Sequence, residues 1–220
     1  VIAIGESVAI PPLGLEGLLT VPAGAAGLVL FAHGSGSSRH SPRNQRVAAA
    51  LNGAAFGTLL FDLLTTSEAD DRAMVFDTEL LAERLVMATD WLRRRMDRML
   101  PPLGYFGAST GAAAALIAAA AADSPVAAVV SRGGRPDLAD RFLPMVRAPT
   151  LLIVGGDDHE VLVLNRRAKD RMTCRTHLTV IPGASHLFEE PGTLDDAIAA
   201  AIVWFREHLN STGGRGRHVS

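Results

Sequence analysis

Residues 103–114 read Leu-Gly-Tyr-Phe-Gly-Ala-Ser-Thr-Gly-Ala-Ala-Ala. A short apolar run passes into Gly107-Ala108-Ser109-Thr110-Gly111 and then into strong helix formers, which predicts a strand, a sharp turn and a helix with Ser109 on the turn. The glycines on either side of the serine have a steric reason. The turn is strained and crowded, and a Cβ at either place would collide with the helix or the neighbouring strand. A serine in this position stands clear at the end of its strand, where it is a candidate nucleophile.

The rest of the chain repeats the alternation. Gly27–Ala32 is continuously apolar and ends in His33-Gly34-Ser35-Gly36, as expected of a buried strand entering a glycine-rich loop. Similar runs cover 57–61, ending at Asp62, then 126–131, 150–154 and Thr176–Ile181. Helical spacing fills the intervals. Ser41-Pro42 supplies an N-cap and first-turn proline to a helix carrying Val47, Ala48 and Leu51. The series Phe76, Leu80, Leu85, Ala88, Leu92, Met96, Met99 has acids at its start and arginines at its end, and Pro101-Pro102 terminate it. An alanine-rich helix follows Ser109 over 110–122, and Val161, Leu164, Ala168 and Met172 mark another. The last helix, 193–209, carries Ile198, Ile202, Phe205 and Leu209, with Thr193 and Asp196 resembling a capping box. The polar stretch 65–72 reads as a solvated loop. The connection 132–149 is expected to hold one short helical piece over 137–142.

Two extended runs, Glu6–Ile10 and 15–21, flank Pro11, Pro12 and Gly14 and suggest an N-terminal hairpin. From residue 27 onward, strands alternating with helices predict an α/β fold: a mostly parallel sheet flanked by helices on both faces. The expectation is one domain over 1–209 and a disordered tail over 210–220, which is rich in Gly, Arg and Ser and lacks apolar anchors.

The 220 residues carry a net charge of -2, so nothing points to a nucleic-acid partner, and no apolar run approaches the length of a membrane span. A single cysteine, Cys174, rules out an internal disulfide and fits a cytoplasmic protein. A small-molecule substrate is the default. Oligomeric state is left open.

In open parallel sheets, ligands bind at the carboxyl ends of the strands. Ser35, Asp62, Ser109, Arg132, Asp158 and His186 all fall just past such ends. A serine hydroxyl needs a base to take its proton and a third group to orient that base. The chain offers Ser109, then Asp157 or Asp158, then His186, in the order Ser, Asp, His used on this kind of sheet. His186 follows the last strand in a loop of small residues, whereas His33 is expected to be structural, and His40 and His159 could support the site. The amides of Thr110, at a helix start, and of Ser35, in the glycine loop, are candidate oxyanion donors. Arg132 and Arg135 could pair with a substrate carboxylate.

On His33-Gly34-Ser35-Gly36, Gly107-Ala108-Ser109-Thr110-Gly111, Gly155-Gly156-Asp157-Asp158 and Gly183-Ala184-Ser185-His186, the chain resembles an α/β-hydrolase of the dienelactone hydrolase type over 15–209. The resemblance implies an eight-stranded sheet with its second strand antiparallel, and hydrolysis of a carboxylic ester or lactone without metal or cofactor. It also selects Asp158 as the acid, since the family pattern is Gly-Gly-any-Asp. The name-giving enzymes carry cysteine where this chain has Ser109, which detaches it from the dienelactone substrate itself. The same residues also admit acyl transfer to an alcohol, amine or peroxide, or an inert scaffold kept for binding. With no room in 132–149 for a sizeable lid, the site is expected to be open and shallow and to prefer short acyl groups.

Overall fold

A computed structural model describes residues 5–96 and 100–209. Eight strands form one sheet: β1 (Glu6–Ile10), β2 (Leu15–Thr20), β3 (Gly27–Ala32), β4 (Phe56–Phe61), β5 (Leu103–Ala108), β6 (Val126–Arg132), β7 (Thr150–Gly155) and β8 (Thr176–Ile181). Their spatial order is β1-β2-β4-β3-β5-β6-β7-β8. β2 pairs antiparallel with both neighbours, and every other pairing is parallel. The eight-stranded sheet and its antiparallel second strand are those the resemblance implied.

The continuous apolar runs follow from a sheet covered on both faces. β3 sends Leu28, Leu30 and Ala32 into one core and Val29 and Phe31 into the other. The first core lies beneath α4 (Thr78–Met96) and α5 (Thr110–Ala119), and Ala168 of α6 (His159–Arg171) joins it. The second lies beneath α1 (Pro42–Gly53) and α7 (Thr193–His208). α5 is buried at nine positions, so its alanines let it settle against both the sheet and α4. Ser41 caps α1 as expected, its hydroxyl accepting from the Asn44 amide at 3.4 Å.

Several expectations change. Residues 65–72 are not a loop: α2 (Thr66–Ala69) and α3 (Arg72–Phe76) occupy that region. Thr65 and Glu68 form a reciprocal capping box, the Glu68 carboxylate accepting from the Thr65 amide at 2.8 Å. Asp71 then accepts from the Ala73 amide at 2.8 Å, and Asp77 from the Leu80 amide at 3.0 Å. These successive caps divide the acidic stretch into single turns, so Phe76 ends α3 rather than opening α4. The buried stripe of α4 runs through Leu81, Ala82, Leu85, Ala88, Thr89 and Leu92. On α6 the buried face carries Val161, Leu162, Asn165 and Ala168 rather than Leu164, with Asn165 Nδ2 donating to Gly134 O at 2.9 Å. Thr193 is not a cap. Gly192, at φ 85°, takes that position, and the Thr193 hydroxyl donates backward to Glu190 O at 2.8 Å.

The crossing from β6 to β7 holds a 3₁₀ helix, Pro136–Met145, and no inserted cover. Among the described residues no helix is long and apolar enough to cross a membrane. The expected tail over 210–220, and Met99 of the α4 stripe, lie outside the described residues.

Candidate active site

Ser109 joins β5 to α5 at φ 51° and ψ -123°, a backbone region that side chains rarely adopt. Its neighbours explain how the turn closes. A Cβ on Gly107 would lie 2.4 Å from Ala112 Cα, and one on Gly111 would lie 2.1 Å from Ala32 O, so only glycine fits either place. The backbone around the serine is fully employed. Its amide donates to Arg132 O at 3.3 Å, and its carbonyl accepts from the Ala112 and Arg135 amides, each at 3.1 Å.

His186 Nε2 lies 3.4 Å from Ser109 Oγ, and His186 Nδ1 lies 2.6 Å from Asp158 Oδ2. A carboxylate only accepts, so Nδ1 carries the proton and Nε2 is left free toward the serine. Asp158 stands at the N-terminus of α6 without capping it; its side chain turns to the histidine, and its backbone carbonyl accepts from Leu162. The adjacent Asp157 is exposed, and its amide is held by Ala184 O at 3.0 Å. Geometry thus separates the two aspartates that spacing left open. The His186 loop is pinned from behind, the Ser185 amide donating to Glu190 Oε2 at 3.0 Å. That bond, foremost, holds the Glu190 carboxyl below its ordinary pKa.

The oxyanion candidates are arranged differently from the expectation. Thr110 opens α5 directly after the serine and is buried. The Ser35 amide does not stand free: it donates to Thr110 Oγ1 at 2.8 Å. The loop holding Ser35 is fixed on two sides. His33 Nδ1 donates to Gly34 O at 3.0 Å, and its Nε2 accepts from the Leu63 amide at 3.2 Å. Both ring nitrogens are spent on backbone, and burial pushes the imidazole below its usual pKa, so His33 is a neutral structural clasp. Arg39 meets the other side, its amide donating to Asp62 Oδ1 at 2.7 Å and its guanidinium pairing with Asp62 and Glu16.

Both arginines expected to meet a substrate carboxylate already have partners within the protein. Arg135 is engaged in a two-point contact with Asp137, at 2.9 and 2.7 Å. Arg132 is buried, stacked 5.7 Å from the Phe188 ring centroid, and burial lowers its guanidinium to about 10. It shares the strand face of Ala128 and Val130, which turns its side chain toward α1 and the Phe188 loop. His40 and His159 are exposed and make no side-chain bond to Ser109, Asp158 or His186.

Sequence reasoning missed the cleft. A cavity of about 600 Å³ opens beside the Ser35 loop, lined on its far side by Leu64, Ala69, Val75, Phe76 and Leu81. The apolar wall is supplied by α2, α3 and the start of α4, and the cavity meets the site through the Ser35 loop, none of Ser109, Asp158 or His186 lining it. Thr65 and Glu68, three residues apart, were the available signal for this wall. Among the described residues no group of three or more His, Cys, Asp or Glu is placed to hold a metal ion.

No family model matches the chain. Two proteins of Mycobacterium tuberculosis, from different strains and both named "Putative phosphoribosyl transferase", are 58% identical to it over 205 residues. That match covers 93% of this chain and 46% of each relative, so the chain spans about half their length. Among solved structures, a dienelactone hydrolase from Anabaena variabilis is 52% identical, with a TM-score of 0.89 over 94% of this chain and 98% of that one. Est1E from Butyrivibrio proteoclasticus, at 14% identity and a TM-score of 0.77 over 93% of this chain and 98% of that one, shares the fold. The high identity to the Anabaena protein extends over nearly the whole of both chains, and on that ground this chain belongs to the dienelactone hydrolase-like family of α/β-hydrolases.

Proposed function

We propose that the protein is a serine hydrolase that cleaves small carboxylic esters or lactones through an acyl-enzyme on Ser109. The observation that carries this reading is the continuous contact from Ser109 Oγ through His186 to Asp158. His186 Nε2 takes the hydroxyl proton as Ser109 Oγ attacks the carbonyl carbon, and the carbonyl electron pair moves onto oxygen. Asp158 holds the proton on Nδ1 and stabilises the imidazolium that forms. The Thr110 amide, at the N-terminus of α5, meets the developing oxyanion. Collapse of the tetrahedral species expels the alcohol, which takes the proton from His186; water, deprotonated by the same histidine, then releases the acid.

Membership of the dienelactone hydrolase-like family supports ester or lactone substrates. Serine at the elbow separates this chain from the name-giving enzymes. The name of the mycobacterial relatives describes proteins about twice as long and assigns nothing to the half matched here. A serine, a base and an acid in contact are the parts of acyl chemistry, and no step above calls on a metal ion, so hydrolysis is expected to survive a metal chelator. The single, partly buried Cys174 is consistent with a cytoplasmic protein.

Ser109→Ala tests the reading. The variant should remain folded by circular dichroism and lose hydrolysis of 4-nitrophenyl butyrate. An alanine variant that kept most of the activity would refute the assignment.

A further inference from the structure

The Ser35 amide at 2.8 Å from Thr110 Oγ1 conflicts with the simplest oxyanion site, in which two backbone amides point at one empty place. An N–H directed at a hydroxyl is already spent. The hydroxyl receiving it has its own proton, and no acceptor for that proton occurs among the described residues. Thr110 is buried and follows the nucleophile directly, and its hydroxyl meets the loop whose amide is the other expected oxyanion donor.

We infer that Thr110 supplies two oxyanion donors, its backbone amide and its hydroxyl, and that the Ser35 amide acts through the hydroxyl rather than on the substrate. The inference rests on the acyl-enzyme reading of Ser109. Ser35 N–H donates to Thr110 Oγ1, and Oγ1–H donates to the oxyanion. Accepting one hydrogen bond polarises a hydroxyl and strengthens the one it donates, so the chain makes Thr110 a better donor than an isolated alcohol. No proton is transferred along it.

The arrangement gives the clasps on the Ser35 loop a chemical purpose. His33 bonded to Leu63, and Arg39 bonded to Asp62, fix the loop that must present its amide to Thr110. Ser35 is thereby a positioning residue, and Thr110 a catalytic one.

The test compares steady-state hydrolysis of 4-nitrophenyl butyrate by the wild type, Thr110→Val, Thr110→Ser and Ser109→Ala. Valine matches threonine in shape and removes only the hydroxyl. Ser35 is exposed, so water can satisfy its amide in that variant and folding should be retained. Thr110→Val should lose about 100-fold or more in kcat, the usual loss for one oxyanion donor, with KM within about threefold. Thr110→Ser, which keeps the hydroxyl, should recover kcat to within about tenfold of the wild type. A Thr110→Val enzyme that matches or exceeds the wild type in kcat overturns the inference, because the hydroxyl then does nothing or competes for the amide. So does a loss confined to KM, or equal losses in the valine and serine variants, either of which marks a structural role. If Ser109→Ala is inactive while Thr110→Val is not, this inference alone fails. If Ser109→Ala is fully active, the acyl-enzyme reading fails and takes this one with it.

Discussion

Asp158 Oδ2 lies 2.6 Å from His186 Nδ1, whereas Asp157, one residue earlier, is exposed. The distinction has a large kinetic consequence, because only a carboxylate at that distance fixes the histidine tautomer. Asp158→Asn is expected to lower kcat by about ten-thousand-fold, while Asp157→Asn stays within about threefold. The reverse ranking in ester hydrolysis would move the acid by one residue.

The cleft wall leads to a prediction about substrates. Val75 and Leu64 face the cavity beside the Ser35 loop, so an acyl chain lying there buries its methylenes against them. Val75→Trp should fill this space and depress hydrolysis of hexanoate relative to acetate esters by about tenfold or more, at about 0.8 kcal/mol per methylene left in water. A 4-nitrophenyl ester series measures the ratio. An unchanged ratio would put the acyl group elsewhere and restore the open-site expectation.

Close packing at the elbow sets a stability prediction. Because a Cβ on Gly111 would lie 2.1 Å from Ala32 O, Gly111→Ala must part α5 from β3. A loss of about 3 kcal/mol or more is expected in urea denaturation. Ala115, wholly buried on the same helix, provides a control through Ala115→Gly, for which about 1 kcal/mol is expected.

His33 contributes a pH dependence. Burial lowers its folded pKa below the ordinary value near 6.5, so the unfolded chain binds the proton more readily. Its contribution is complete above about pH 6.5 and is lost as pH falls through that value toward the folded pKa. His208 is shifted in the same direction, again chiefly by burial, and adds the same sign. The urea midpoint should therefore fall between pH 7.5 and pH 5.5, and fall less in His33→Gln. Equal falls in both proteins would acquit His33.

Much of this was readable from residues alone. β3 and β8 begin and end where their apolar or extended runs do; Ser109 and His186, which lie 3.4 Å apart, were singled out because each follows a strand end, while Asp158 was preferred to Asp157 on the family pattern. Polar composition concealed α2 and α3, although Thr65 and Glu68 carried the capping pattern that forms them. Arg132 illustrates a signal left unused: counting by twos from Ala128 and Val130 puts its side chain on the α1 face of the sheet. Other features had no local signature. The Ser35 to Thr110 bond joins residues 75 apart and exists only once β3 and β5 are paired.

The central claim is that Ser109 is the group acylated by substrate, and site mapping of a fluorophosphonate adduct by mass spectrometry tests it most directly. One adduct per chain is expected, on the peptide containing Ser109, with labelling abolished in Ser109→Ala and strongly slowed in His186→Gln. An adduct on any other residue, or labelling that persists in Ser109→Ala, would contradict the account.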